Sequence, residues 1–176
     1  MRKANELMVQ YAAYHRDRRN ITTHFVGIPL IVFAVGILLA RPGFSIDQLY
    51  LTPAWIVWAL SAAWYLSRGN LVLGAAVTAT TGLLIALAQP LAAGSTASWL
   101  TWGIGSFILG WVIQFIGHYY EGRKPAFVDD MVGLLVGPMF VTGEMLFALG
   151  MCKPLLAEIE QRVGPTVLRN LAHPLT

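Results

Sequence analysis

Apolar positions fall into five long runs, and ahead of them lies a stretch with a different rhythm. Over residues 3–19, Leu7, Tyr11 and His15 recur at i, i+4, i+8 with Met8 and Ala12 beside them, leaving Lys3, Arg16, Arg18 and Arg19 for the other side. That period predicts an amphipathic helix lying on a membrane surface. Asn20 then reads as an N-cap for Thr22 or Thr23, so that a new helix begins and carries the run 21–40. The turn matters, because His15 and His24 would otherwise point to opposite sides of one helix at 100° per residue. Pro29 predicts a kink close to His24.

Arg41-Pro-Gly-Phe-Ser closes this run, and a polar connector leads to the next, 49–66. Ser67-Arg-Gly-Asn70 predicts a tight hairpin into 71–89, whose small residues and Thr78, Thr80 and Thr81 suit close helix packing. An uncharged loop from Pro90 leads to 98–118, again with small residues, Gly103, Gly105, Ser106 and Gly110, although without clean Gly-x-x-x-Gly spacing. Asp129 is expected as the N-cap or first-turn acid of 131–151, which Gly137-Pro138 should kink. Residues 153–176 read as an amphipathic or partly disordered tail, with His173 incidental.

Composition identifies the solvent. Hydrophobic residues make up 56% of the 176 and charged residues 12%, about half the charge of a typical soluble domain. Between Arg19 and Glu121 the charged side chains are Arg41, Asp47 and Arg68. The expected fold is therefore all-α: a single polytopic membrane domain with about five membrane-embedded helices plus the N-terminal amphipathic helix. The net charge of +3 sits at the edges of the apolar runs, which suits contact with membrane lipid and not nucleic acid. Cys152 is the single cysteine, so there is no intramolecular disulfide and no thiolate pair for zinc. The first twenty residues hold no signal-peptide apolar region, and no oligomeric state is assigned.

With five spans and the amino terminus inside, eight cations lie inside and four outside, a bias that favours a cytoplasmic amino terminus. The carboxyl-terminal charges would agree better with a re-entrant fifth run. This topology puts His15, His24, His118 and Glu121 at one cytoplasmic face, of a bacterial inner membrane or, in a eukaryote, the endoplasmic reticulum.

Candidate chemistry gathers there. Gln114, His118 and Glu121 are spaced i, i+4, i+7, so they share a helix face. The carboxylate is placed either to share a metal with the imidazole or to orient it; an ordinary polar helix end is the bland alternative. Three imidazoles without a thiolate suit a divalent transition metal, with non-haem iron and zinc both compatible. A haem protein using His24 and His118 as axial ligands is the alternative reading. Glu144, well inside its run, requires a partner or cavity; a transporter is disfavoured because the polar residues cluster at one face.

Tyr14-His15-Arg16, Asn20-Ile-Thr-Thr-His24-Phe-Val-Gly27-Ile-Pro29 and Gln114-Phe-Ile-Gly117-His118 through Glu121 to Lys124-Pro125-Ala126 resemble the yeast-type 2-hydroxy-fatty-acid dioxygenase family. Gly137-Pro138 and Glu144 extend the resemblance over about residues 5–150. It implies an iron(II) enzyme with dioxygen as co-substrate and a 2-hydroxy fatty acid as substrate. By position His15, His24 and His118 would be metal ligands and Glu121 a fourth ligand or orienter. Asn20, Gln114 and Glu144 would support them, and Arg123 or Lys124 would pair with the substrate carboxylate.

Overall fold

The computed structural model describes residues 2–47 and 49–171, so His173 lies outside the described residues. Helix α1 (Ala4–Ala12) is followed by a turn and by α2 (Arg18–Leu38). A small antiparallel hairpin, β1 (Phe44–Ile46) with β2 (Leu49–Leu51), precedes α3 (Pro53–Leu66) and α4 (Leu71–Ala92). After α5 (Thr96–Glu121) comes a 3-10 turn (Ala126–Val128), then α6 (Gly133–Ala148) and α7 (Lys153–Val163).

The first break falls earlier than expected. The helix predicted over 3–19 stops at Ala12, and the cap of α2 is Asp17, whose carboxylate accepts from the Arg19 amide at 2.8 Å. Asn20 is already inside the helix and caps nothing. His15 therefore sits in the turn and not on a helix face.

Among the described residues three helices, α2, α4 and α5, are long and apolar enough to cross a membrane, not five. α3 is apolar but has 14 residues, about 21 Å against a hydrocarbon core of about 30 Å. The expected start at Leu49 fails because Leu49–Leu51 pairs in the hairpin. α3 nonetheless joins the two ends of the bundle: the Ala54 amide bonds the Leu39 carbonyl, and the Tyr65 hydroxyl bonds the Leu135 carbonyl.

The fifth run, expected over 131–151, forms the 16-residue α6, and the chain turns back at its end. Gly150 and Cys152 both adopt positive φ, and α6 and α7 meet at 113°. Glycine tolerates that conformation and Cys152 pays strain for it, which hydropathy alone does not register. α6 touches α2, α1 and α4, with Gly137 against Ile28 and Tyr11 and Thr142 against Thr80. α7 then returns along α1, where Asn5 donates to Glu158 at 2.7 Å. Leu7, Met8, Leu73, Met139, Phe140 and Ile159 close a core between α1, α4, α6 and α7 at that end; each large apolar side chain so buried contributes roughly 1.5–3 kcal/mol. Asp129 does not cap α6: it accepts from the Tyr14 hydroxyl and pairs with Lys124, while Asp130 accepts from the Val132 amide.

The main seam joins α2 to α5, antiparallel and backbone to backbone. A Cβ on Gly27 would lie 2.9 Å from the Gly110 carbonyl oxygen, and one on Gly110 equally close to that of Gly27. Gly103 meets Leu38 and Gly117 meets Asn20 and Thr23. The glycines of α5 thus recur every seven residues along the face that meets α2. This seam fixes His24 and His118 opposite each other.

Candidate metal centre

His15 is presented by the turn, His24 by the second turn of α2, and His118 by the last turn of α5. All three are buried. Their ring centroids are 4.5, 5.0 and 5.1 Å apart. Among the described residues they form the group of histidine, cysteine and acidic side chains able to hold an ion, with ligand atoms within 4.8 Å of one another.

Backbone carbonyls decide the tautomers. Nδ1 of His15 donates to the Tyr11 carbonyl at 2.7 Å, and Nδ1 of His24 donates to the Asn20 carbonyl at 2.9 Å. Each neutral ring is left with an unprotonated Nε2, and these two atoms face one another at 3.0 Å. Two lone pairs at that distance repel unless an electrophile lies between or beside them. Burial, with His24 and His118 nearby, holds the His15 imidazole well below its ordinary range, so protonation is not the remedy near neutral pH. Nδ1 of His118 is itself buried without a hydrogen-bond partner. A divalent cation among the three rings would satisfy the two facing nitrogens together with one from His118. Two nitrogens each about 2.1 Å from one ion lie about 3.0 to 3.4 Å apart for right-angle to tetrahedral geometry. The carbonyl bond from the opposite ring nitrogen is the usual companion of a ligating histidine.

Tyr11 was legible in the sequence only as part of an apolar face. Its ring stacks on His15, centroids 4.1 Å apart and planes within 4°, and its hydroxyl approaches Gly137. Burial pushes that phenol above its ordinary value, leaving it a hydrogen-bond donor.

Glu121 lies outside the three-histidine group. Its carboxylate accepts from the amides of Arg16 and Asp17 at 2.8 to 3.0 Å and from Nδ2 of Asn20 at 3.0 Å. Of the two roles open to it in sequence, ligand or orienter, this geometry serves the second, by pinning the residues next to His15. Asn20 is the hub of the arrangement: Nδ2 also donates to the Tyr14 carbonyl, and its own carbonyl holds His24. Gln114 packs its Cγ against Gly27, within the seam. Glu144 reaches not a histidine but Arg16, at 3.9 Å.

The Arg123 backbone approaches the His118 ring, but the side chains of Arg123 and Lys124 are engaged elsewhere. Arg123 donates to the Ala13 carbonyl at 3.0 Å, and Lys124 pairs with Asp129. Neither lines the cavity at His118. The charge pattern gave no warning, because both follow the ligand helix within three residues of Glu121.

That cavity, about 60 Å³, is walled by apolar residues, with Tyr11, Gln114 and His118 as its polar side chains beside the Trp111 indole. A larger chamber of about 430 Å³ adjoins it, sharing Ile31, Val32, Trp111, Leu134 and Pro138. A porphyrin has no room between His24 and His118, since His15 closes within about 5 Å of both; the haem alternative is set aside on that ground.

Across the polar side runs a strap, beyond α7, within the segment expected to be an amphipathic or partly disordered tail. Val167 forms a parallel bridge with Asp17, its amide bonding the Arg16 carbonyl at 2.9 Å, and Arg169 bonds the Asp17 carboxylate and the Tyr120 carbonyl. Arg16 donates to the Gly164 carbonyl at 3.1 Å. The strap thus clamps the turn that carries His15.

No solved structure matches the chain. Residues 1–149 match the family model described as 2-hydroxy-palmitic acid dioxygenase Mpo1-like. The chain is also 31% identical over 158 residues to the 2-hydroxy-palmitic acid dioxygenase MPO1 of Saccharomyces cerevisiae, covering 85% of this chain and 83% of that protein. With the motif residues around all three histidines inside the matched span, the chain belongs to the Mpo1-like family.

Proposed function

We propose that the protein is a non-haem iron(II)-dependent dioxygenase that converts a 2-hydroxy fatty acid to the fatty acid one carbon shorter. The observation that carries this reading is the convergence of His15, His24 and His118 at the edge of an apolar cavity. The yeast relative, named for a dioxygenase of 2-hydroxy-palmitic acid, supports the reaction class. The overall equation balances: the hydroxy acid and one dioxygen give the shortened acid, carbon dioxide and water. The C1–C2 bond breaks, C2 is oxidised to a carboxyl, C1 leaves as carbon dioxide, and dioxygen takes up the four electrons.

The three imidazoles would hold the iron, a donor set without thiolate that suits it. Iron(II) bound there supplies the redox chemistry that dioxygen needs to react with a hydroxy acid. The chain's own residues do the rest. Backbone carbonyls of Tyr11 and Asn20 keep Nε2 of two ligands unprotonated, and Glu121 and Asn20 hold the turn against the end of α5. Tyr11 and Gln114 offer hydrogen bonds to the substrate head group, a task that Arg123 and Lys124 are not positioned to perform. The apolar walls exclude water from the reacting carbon.

The site also has a side. Of twelve lysines and arginines, Arg41 stands at the far end of the bundle, leaving eleven on segments at the histidine end, because α7 and the strap return there. That bias supports a metal site at the cytoplasmic face.

The test is direct. Purified protein with iron(II), oxygen and 2-hydroxypalmitate is expected to release the fifteen-carbon acid, and elemental analysis to find iron. Product formation indifferent to a chelator, or to His118→Ala, would sink the proposal.

A further inference from the structure

The cavity at His118 is too small for a fatty acid. The chamber beyond it is seven times larger, and beyond Thr81, Ser61 and Tyr65 its lining is almost wholly apolar. The two spaces share a wall and run along the same two helices. From His24 to Val35 on α2, and from His118 to Phe107 on α5, the distance is eleven residues, roughly 16 Å at 1.5 Å per residue. The far wall therefore lies at one depth on both helices. Three lining residues from three different helices, Val57, Phe107 and Leu134, are 48%, 37% and 44% exposed. They mark a mouth on the flank of the bundle, within the apolar belt, where α5 packs along α2 and leaves a gap toward α3 and α6.

We propose that this chamber is the acyl-tail site, entered sideways from the bilayer through the mouth at Val57, Phe107 and Leu134, with Trp111 and Pro138 as the sill between head and tail. The assignment rests on the reading of the histidine site as one that takes a hydroxy fatty acid. Its occupant follows from continuity and lining: of the two larger spaces that adjoin the cavity at His118, the one reached past Tyr11, Ala126 and Gly133 is bordered by Arg2, Gln10, Asp129 and Asp130, and this chamber is the more apolar. The depth accommodates roughly a dozen methylenes at about 1.2 Å per bond of an extended chain. Carbons beyond that length leave through the mouth into lipid. Lateral entry also lets a membrane-dissolved acid reach the metal without its tail crossing water.

The chamber is tested by photocrosslinking the full-length protein in nanodiscs with a 2-hydroxy fatty acid carrying a diazirine about twelve carbons from C2. Adducts on Val35, Trp58 or Phe107 that excess 2-hydroxypalmitate removes are the expected result. Adducts confined to outward positions such as Leu60 and Leu83, undiminished by competitor, mean bilayer contact and overturn the proposal. Turnover gives a second readout. Val35→Trp, and Val57→Trp on the tolerant rim, are expected to lower the ratio of kcat/KM for long over short hydroxy acids by roughly tenfold for every two methylenes displaced. Leu60→Trp, on lipid-facing α3, should leave the ratio alone, and an unchanged ratio in both chamber variants counts against the site. If wild-type protein turns over no hydroxy acid, the proposed reaction fails, while competed crosslinks still report whether the chamber holds the tail.

Discussion

Nε2 of His15 and Nε2 of His24 face each other at 3.0 Å, each with its opposite ring nitrogen committed to a backbone carbonyl. Neither ring can turn its proton inward without abandoning a carbonyl in a buried place. The metal-free pair is therefore expected to be destabilised, and the protein's melting temperature should rise on adding iron(II) or cobalt(II). His24→Ala and His118→Ala are each expected to lower metal content and turnover by roughly a hundredfold or more. Equal metal content in all three proteins would contradict this.

Glu121 separates positioning from ligation. Replacing it with glutamine sets an amide N–H against three donors, at a cost of roughly 1.5–3 kcal/mol in stability. Metal affinity should fall about 10–100-fold, as for loss of an outer partner. Cobalt bound to Glu121→Gln at saturation should nonetheless keep the wild-type visible spectrum. A changed spectrum would make the carboxylate a ligand after all.

The α2–α5 seam predicts opposite outcomes for two glycines on one helix. Gly110→Ala drives a Cβ to 2.7 Å from Ile31 and 2.9 Å from the Gly27 carbonyl, so a loss of roughly 1–3 kcal/mol is expected. Gly105→Ala meets nothing within 4 Å and should be neutral or slightly stabilising. Thermal unfolding of both in the same detergent is the check, and similar losses would refute the seam.

Asp17 links acid sensitivity to the turn. Burial pushes its carboxyl up, but hydrogen bonds from the Arg19 guanidinium and from the Arg169 and Arg19 amides outweigh that and hold it at about 2. A lowered pKa makes this stabilisation complete above the ordinary value of 3.8 and lost as pH falls through about 2. Asp17→Asn should cost roughly 2 kcal/mol at pH 7, with the gap to wild type closing between pH 4 and 2. A gap that stays constant across that range would show that the charge is irrelevant.

The convergence of three histidines from distant parts of the chain was legible because hydropathy runs assign ends, and ends gather polar residues. What escaped was whatever depends on a few degrees of backbone or on a facing helix. Asn20 has the side chain of a cap, but Asp17 reaches the free amides first and releases Asn20 to bridge Tyr14 and Glu121. Gly103 and Gly110 stood out as small residues suited to close packing, but the seven-residue repeat that they form with Gly117 has no four-residue spacing to announce it. The run 131–151 yields a helix of only 16 residues, and after Gly150 and Cys152 α7 turns back at 113°, a bend of the re-entrant kind that the carboxyl-terminal charges favoured. Arg123 and Lys124 looked like substrate partners by position, whereas their hydrogen bonds turn them to Ala13 and Asp129.

Contact between two backbones has no side-chain rotamers to exchange, so the α2–α5 seam cannot yield by degrees. Bilayer thickness and lateral pressure vary from membrane to membrane, and a membrane-embedded protein feels both. Mounted on the seam, His24 and His118 should keep their spacing through such changes, while α3 and α6 on the opposite side take up the strain. The protein would then read its lipid surroundings through how readily a ligand enters and not through the spacing of its histidines.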